Sequence, residues 1–427
     1  MPWYEQVGAT TPFNQATAID IKEFCNQADT DHVNGDSTGC VKRWIQAGKD
    51  EGKHLFASAG VYTLNRHIVI FDGMQLKCEN SDSTIFIKGK GNWRGKFRSH
   101  EYNVTEPALS NILIENCGFD MNGDPGNFAS AFQFTNVEHV TFRGNRIYDQ
   151  TGVECIARNC QRQYLVVVNS DNILVEDNYF SQGGRIKVGQ TGQNWVIRNN
   201  HLNFVNDNGI TVVGDKDIND FDTVRNVLIY DNYIENPTVT GIFLGADGED
   251  DQPGFTVEGI TVFNNTIVGR FGSACIKGTL PEFTSKIFIA NNHCENYEPL
   301  NIFPDARAYL GGIRLGGYTT IEEDVTAYHA EDVTAYHNYI KSHNKDSFNN
   351  IGAFGITAVN VCLLDNVVPN SSETIRARYD STVFHHGNMW GIGEIVADLT
   401  SELVEINAED RESCFVPDFL NIVDKAS

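Results

Sequence analysis

The sequence predicts an all-β chain wound as a single-stranded right-handed parallel β-helix, a solenoid with a short helical cap at its N-terminus. Three observations carry the prediction. Nine short apolar runs end in asparagine: Asn111–Asn116, His139–Asn145, Asn172–Asn178, Trp195–Asn200, Asn226–Asn232, Gly259–Asn265, Lys286–Asn292, Asp332–Asn338 and Asn360–Asn366. Their terminal asparagines are separated by 29, 33, 22, 32, 33, 27, 46 and 28 residues, and most of these intervals suit one three-strand coil with turns of variable length. Glycine-flanked second strands then recur, as in Gly209–Gly214, Gly241–Gly245, Ala274–Gly278, Gly312–Gly316 and Gly355–Val359.

Each run divides into two faces by strand alternation. Val227 and Ile229 point one way and Leu228 and Tyr230 the other, so one face can enter a core. A coil cannot bury that face alone, and stacking coils makes the core continuous. The terminal asparagine suits a tight bend because its short side chain tolerates left-handed backbone, and stacked asparagines can bond from coil to coil. A propeller would need blades of about 40 residues. A βαβ fold would need helical inserts, whereas these are polar and rich in glycine.

At the N-terminal side, Ser37–Gly48 reads as a short amphipathic helix with Val41, Trp44 and Ile45 on one face and Ser37 or Thr38 as N-cap. A solenoid end needs such a cover. Strands follow over His54–Leu64 and His67–Phe71. The organisation expected is therefore an N-terminal segment over 1–30, a capped β-helix over 31–390, and a closing segment over 391–427 with Ile392, Ile395, Val396, Leu399, Leu403, Val404 and Ile406.

Composition narrows the partners. A formal net charge of -24 argues against nucleic acid and against an anionic membrane surface. A local basic groove for an anionic glycan is still compatible with it. No stretch approaches the roughly 18 apolar residues of a membrane span, and the Met1–Glu5 start lacks a secretory pattern. The ten cysteines form no C-x-x-C and no zinc spacing, so they read as reduced, packed small hydrophobes from a reducing compartment.

The cap carries a resemblance. Asp36, Thr38, Val41, Ile45, Leu55, Phe56, Ala59, Gly60, Tyr62 and Leu64 resemble the N-terminal cap of the pectate-lyase-like β-helix superfamily, which includes bacteriophage tailspikes; Ser58 stands where that family usually has proline. The resemblance implies a homotrimer on a virion or outside the cell, acting on a bacterial surface polysaccharide. Residues 1–30 would then attach to other tail proteins through Trp3, Tyr4 and Phe13, or simply pack on the cap. It also leaves open a polysaccharide lyase or epimerase, a non-catalytic glycan binder and a structural fibre.

Glycoside hydrolysis needs two carboxylates, about 5–5.5 Å apart for retention or 6.5–9.5 Å for inversion, and neighbouring coils offer rungs about 4.8 Å apart. Asp215, Asp247 and Glu249 follow two successive glycine-flanked strands and are the acid/base candidates, with Asp207 just ahead of the first strand as a substrate contact. The cluster also reads as solvated acidic loops. A third reading is calcium at Asp215–Asp222, although the glycine and glutamate of an EF-hand are missing; otherwise no metal or cofactor is expected. A lyase would want cations. Aligning strands on their closing glycine puts Lys187, Val212, Phe243, Ile276 and Arg314 in one column, with the two cations four coils apart. Arg185 stands near Lys187 on what reads as a solvated strand face, while Tyr148, Tyr164, Phe243 and Tyr318 are possible sugar platforms. Asp149 and Glu154 form a second possible acid pair, and Glu331–His337 repeats Glu323–His329.

Overall fold

The computed structural model describes residues 2–26, 28–29, 35–89, 96–99, 108–122, 130–149, 162–189, 191–205, 207–214, 223–246, 256–270, 272–279, 285–297, 311–316, 331–342, 354–357, 361–369, 373–377, 382–390, 394–397 and 401–417. The chain is a right-handed parallel β-helix whose strands form three parallel sheets, here called A, B and C. It divides into two compact units, Met1–Ile210 and Thr211–Ser427. Each coil runs through sheet A, the asparagine corner, sheet B and sheet C before returning to A. In the first unit one coil is Val137–Arg143, Arg146–Tyr148 and Arg162–Val168. In the second, one is Thr256–Phe263, Thr266–Gly269 and Ala274–Thr279.

Alternation fills the inside. On sheet B of the second unit Ile234, Ile267, Cys294 and Ile340 stack in register, each 2 % exposed or less. Burying one such side chain contributes about 1.5–3 kcal/mol. In the first unit the inner stack is aromatic: Phe86 lies on Phe119, Phe97 lies on Phe132, and Phe119 meets Phe132 edge to face at 4.5 Å.

The corner differs from the sequence expectation in one respect. The asparagine does not itself take the left-handed conformation; the residue before it does. Gly144, Asp177, Asn199, Asp231, Asn264, Asn291, His337, Asp365 and Gly387 all have φ between 50° and 64°. The freed asparagine side chain points inward instead. Asn145 Nδ2 donates to Asn178 Oδ1 at 3.1 Å, and Asn178 Nδ2 to Asn200 Oδ1 at 2.9 Å. In the second unit the ladder runs Asn232, Asn265, Asn292, Asn338, Asn366 and Asn388. Asn388 extends the series, and Asn116 leaves it: Asn116 is the left-handed residue of its coil, and Cys117 holds the ladder position, giving its N–H to Asn145 Oδ1.

The helix spans Thr38–Glu51, ends at left-handed Gly52, and buries Val41, Trp44 and Ile45 as expected. Trp44 Nε1 donates to the Ile19 carbonyl. Ser37 occupies the N-cap position but its side chain does not cap the helix. Asp36 does that work, accepting from the Thr38 N–H and hydroxyl. Burial pushes the Asp36 carboxyl up, but bonds from Thr38 and Asn65 outweigh it and hold the pKa below the ordinary value.

Both termini lie along the outer face of sheet A. In the first unit Gly8 N–H donates to the Asn172 carbonyl, Ala9 N–H to Thr141 Oγ1, Thr10 N–H to Asn111 Oδ1 and Asn14 N–H to His54 Nδ1. In the second, Glu394–Ala397 and Glu402–Glu405 add strands to sheets C and A, so coiling continues past residue 390. The chain then doubles back, with Ile406 and Cys414 packed on Cys362 and Leu364, and Phe415 on Phe263 and Phe288.

The cysteines overturn the expectation of reduced thiols. Cys25–Cys40, Cys78–Cys117, Cys275–Cys294 and Cys362–Cys414 are disulfides, with Cα–Cα distances of 5.2, 5.0, 5.9 and 6.0 Å. The winding of the chain brings together residues whose separation along it gave no sign of pairing. Disulfide-bonded chains belong in oxidising surroundings.

Candidate functional site

Beyond the N-terminal cap, the longest connections between strands enter or leave sheet C: Asp120 to Phe132, Tyr148 to Arg162, Asn296 to Gly311, Gly316 to Glu331 and Ser342 to Phe354, with Gly214 to Thr223 and Ala246 to Thr256 somewhat shorter. Binding and catalytic residues concentrate on loops held by a rigid scaffold. The described terminal segments pack on sheet A, so the strands of sheet C, which these connections border, are the candidate face.

In the second unit its strands are Thr240–Ala246, Ala274–Thr279, Gly311–Gly316, Phe354–Thr357, Glu373–Ala377 and Glu394–Ala397. Ile242, Ile276 and Ile313 form the inward column, all fully buried. One residue later, Phe243, Lys277 and Arg314 stand side by side on successive rungs. The Lys277 ammonium sits over the Phe243 ring, 5.1 Å from its centroid, within cation–π reach. Gly355 follows in the column, and the register then sets Arg376 one rung further.

This corrects the column read from closing glycines. Gly278 does not align with Gly245; it pairs with Leu244 and Leu315 at an inward position. The glycine stands at a core position one residue before the strand's end, so aligning on it slipped the register by one. Ile276 is core, and the partner of Arg314 is Lys277. A cation pair on adjacent rungs replaces two cations four coils apart.

In the first unit, sheet C holds Arg162–Val168 and Gly184–Gly189. Lys187 pairs with Val166 and is half-buried. Arg185, expected on a solvated face, is 3 % exposed. Its Nη1 lies 2.6 Å from Asp207 Oδ2, so the structure joins these two candidates in a buried ion pair. Removing one member would leave an uncompensated charge, which costs about 3–5 kcal/mol. Asp207, with φ 71°, directly precedes the next sheet C strand.

Asp215, Asp247, Glu249 and Tyr318 lie outside the described residues, as do Glu154 and the Asp215–Asp222 stretch read for calcium. By chain position Asp215 leaves the end of the strand closing at Gly214, and Asp247 follows Ala246 directly. Among the described residues no cluster of three or more His, Cys, Asp or Glu could hold a metal ion. No described helix is long and apolar enough to cross a membrane.

Of the sugar platforms, Tyr164 is fully buried, with its hydroxyl donating to the Ser181 and Gln182 carbonyls. Phe243 is 7 % exposed beneath Lys277. Tyr148 is half-buried under the Arg146 guanidinium, and Asp149 is fully buried. Sheet A of the first unit carries a different charge pattern: Lys77, Glu115, Arg143, Glu176 and Arg198 alternate in sign along one column and pair with one another. Opposed charges satisfied in this way make a structural ladder.

Sequence reading missed Lys277 because a one-residue shift hides it. Counting from the apolar Cys275–Ile276 pair instead of from the glycine would have found it.

No known family and no curated protein matches the chain. Solved structures do. A family 28 exopolygalacturonase from Yersinia enterocolitica superposes with a TM-score of 0.61 at 11% identity, covering 91% of this chain and 78% of its own. A surface adhesin from Streptococcus pneumoniae gives 0.59 at 13% identity, covering 91% and 93%. The A-module of a mannuronan C-5 epimerase from Azotobacter vinelandii gives 0.51 at 15% identity, covering 91% and 98%. At such identities the likeness establishes the architecture alone: the chain has the right-handed parallel β-helix fold.

Proposed function

We propose that this protein binds a polysaccharide along the outward face of sheet C and cleaves it as an endo-acting glycoside hydrolase, in the manner of a tailspike depolymerase on a bacterial surface polysaccharide. The observation that carries the reading is the Phe243–Lys277–Arg314 column, an aromatic ring and two cations on successive rungs. Acidic residues follow neighbouring strands of the same sheet in the sequence. Two of Asp215, Asp247 and Glu249 would supply the chemistry. One carboxylic acid protonates the glycosidic oxygen as its bond to the anomeric carbon breaks, and one carboxylate takes a proton from the water that attacks that carbon. Solved proteins of similar fold include an exopolygalacturonase, a mannuronan epimerase and a surface adhesin. The disulfides favour an oxidising location such as the medium or the surface of a virion. A homotrimer attached to other tail proteins through residues 1–30 belongs to the same proposal; sedimentation of the purified chain tests the oligomer.

A second reading, a polysaccharide lyase or epimerase, is favoured by the same cations, since Lys277 and Arg314 on adjacent rungs could neutralise one uronate carboxylate. Incubation with bacterial capsule, O-antigen and exopolysaccharide preparations separates the two. Reducing ends without absorbance near 235 nm support the hydrolase, and Asp247→Asn should then abolish cleavage while binding persists. Absorbance rising in step supports the lyase. Binding without either signal leaves a glycan adhesin, and neither binding nor cleavage leaves a structural fibre.

A further inference from the structure

Sheet B is where, among the described residues, most of the large apolar surface is left in water. Six large hydrophobic residues are exposed among the described residues. Five lie on a sheet B strand or directly after one: Val61, Phe204, Tyr233, Tyr297 and Met389. In the second unit the register orders them. Tyr233, Thr266, His293, Tyr339, Val367 and Met389 form one outward column. Glu235, Val268, Glu295 and Lys341 form the next. The His293 and Tyr339 rings stack at 4.9 Å and 13°. Tyr297 follows the strand ending at Asn296 and donates its N–H to the Gly269 carbonyl. Glu295 accepts from Lys341 Nζ at 2.9 Å and lies 3.2 Å from His293 Nε2. The face thus carries the rings of Tyr233, His293 and Tyr339 in one column, and the carboxylates of Glu235 and Glu295, with Lys341, in the next.

We propose that this face of sheet B, over Tyr233–Met389, is a saccharide-binding surface that takes a neutral glycan chain, its ring faces on Tyr233, Tyr297 and the His293–Tyr339 stack and its hydroxyls donating to Glu235 and Glu295. The occupant follows from the chemistry. A second protein surface needs a charge-depleted centre, and here Glu235, Glu295 and Lys341 run through the aromatic strip. A second copy of the chain would bring the same carboxylates and a net charge of -24 against it. Carboxylates repel nucleic acid, anionic lipid and acidic glycans alike. A neutral sugar presents apolar C–H faces and hydroxyl donors, which this strip matches. Burial, with Glu235 and Tyr297 nearby, holds the Tyr233 hydroxyl above its usual range.

The site is separate from sheet C and is tested separately. The full chain is run in native gels containing galactomannan, xyloglucan or dextran. The wild type and the sheet C variant Lys277→Ala/Arg314→Ala should be retarded by at least one polymer. The Tyr233→Ala/Tyr297→Ala variant should bind it at least tenfold more weakly, with an unchanged unfolding midpoint and unchanged cleavage of any sheet C substrate. Glu235→Gln should weaken retardation severalfold without altering an aromatic ring. Retardation of the wild type by none of the three polymers overturns the proposal. Equal retardation of the tyrosine variant overturns it too, as does self-association of the wild type that the tyrosine substitutions abolish. None of these results bears on whether sheet C is catalytic.

Discussion

Asn265→Ala removes one rung of the buried ladder, and the structure allows the cost to be worked through. Asn265 is fully buried. Its Oδ1 accepts from the N–H and Nδ2 of Asn232 at 3.1 and 3.0 Å. Its Nδ2 donates to the Ile229 and Phe263 carbonyls and to Asn292 Oδ1, at 2.9, 3.0 and 3.0 Å. After truncation Asn292 Oδ1 keeps the Asn265 N–H, and Asn232 Nδ2 keeps the Tyr230 carbonyl. The Phe263 carbonyl keeps the Asp231 N–H. The Asn232 N–H loses its acceptor, whereas the Ile229 carbonyl keeps the ladder bond that the Tyr230–Phe263 pairing gives it. With one buried group left unmade, the loss is roughly 2 kcal/mol. Urea unfolding should register it, and hydrogen exchange should show the Asn232 amide exchanging faster than in wild type. The neighbouring Asn264→Gly is the control. Asn264 supplies only the left-handed bend, with φ 52°, and Gly144 and Gly387 fill that place in other coils, so the change should stay within about 0.5 kcal/mol. A loss below about 1 kcal/mol for Asn265→Ala, with the Asn232 amide still protected, would refute the reasoning.

Other expectations follow from the same coordinates. Cys25, Cys40, Cys78, Cys117, Cys275, Cys294, Cys362 and Cys414 should resist alkylation in denaturant until a reductant is added, as mass spectrometry would show. Replacing Cys362 and Cys414 by serine opens a loop of separation 52 and should cost about 4 kcal/mol of stability on chain-entropy grounds. Lys96 is 3 % exposed, and burial, reinforced by Lys88, drops its pKa to about 7. The folded state therefore disfavours the charged lysine, the unfolded state binds more protons between about pH 7 and the ordinary lysine value of 10.5, and stability rises with pH across that window. Lys96→Met should accordingly stabilise the protein at pH 6, by a gain that fades toward pH 10 in unfolding curves. Lys277→Ala should weaken binding of the sheet C substrate by about tenfold in a titration while leaving the unfolding midpoint within a degree or two. Unchanged binding would remove the cation pair from the site.

The parts of this fold legible in the sequence are those set by short-range geometry. From Arg143 onward the described corners between sheets A and B have one left-handed residue and one asparagine between strands, so the asparagines and the apolar runs ahead of them stand out, and the helix face of Val41, Trp44 and Ile45 obeys its period. Register across sheet C was not legible, because connections of unequal length enter it and Gly278 serves the core instead of marking a strand end. The disulfides were hidden for a related reason: Cys78 and Cys117 meet only after a turn of the solenoid, 39 residues apart along the chain. The laying of both termini over sheet A depends on single contacts such as Gly8 to Asn172 and Phe415 to Phe263, which no periodicity announces.

The constant corner also has a consequence for how such a chain can change. Arg143 to Arg146, Phe263 to Thr266 and Leu364 to Val367 all cross the bend with one left-handed residue and one asparagine between them. In these coils that bend works as a gauge, setting the step from sheet A to sheet B whatever length the other two connections have. Insertions and deletions at the borders of sheet C therefore leave the bend undisturbed, whereas a residue added between Phe263 and Thr266 would disturb the turn that places Asn265 in the ladder. Diversification of the loop-bearing face and conservation of the scaffold are thereby uncoupled, which makes the borders of sheet C the natural positions for grafting new recognition loops.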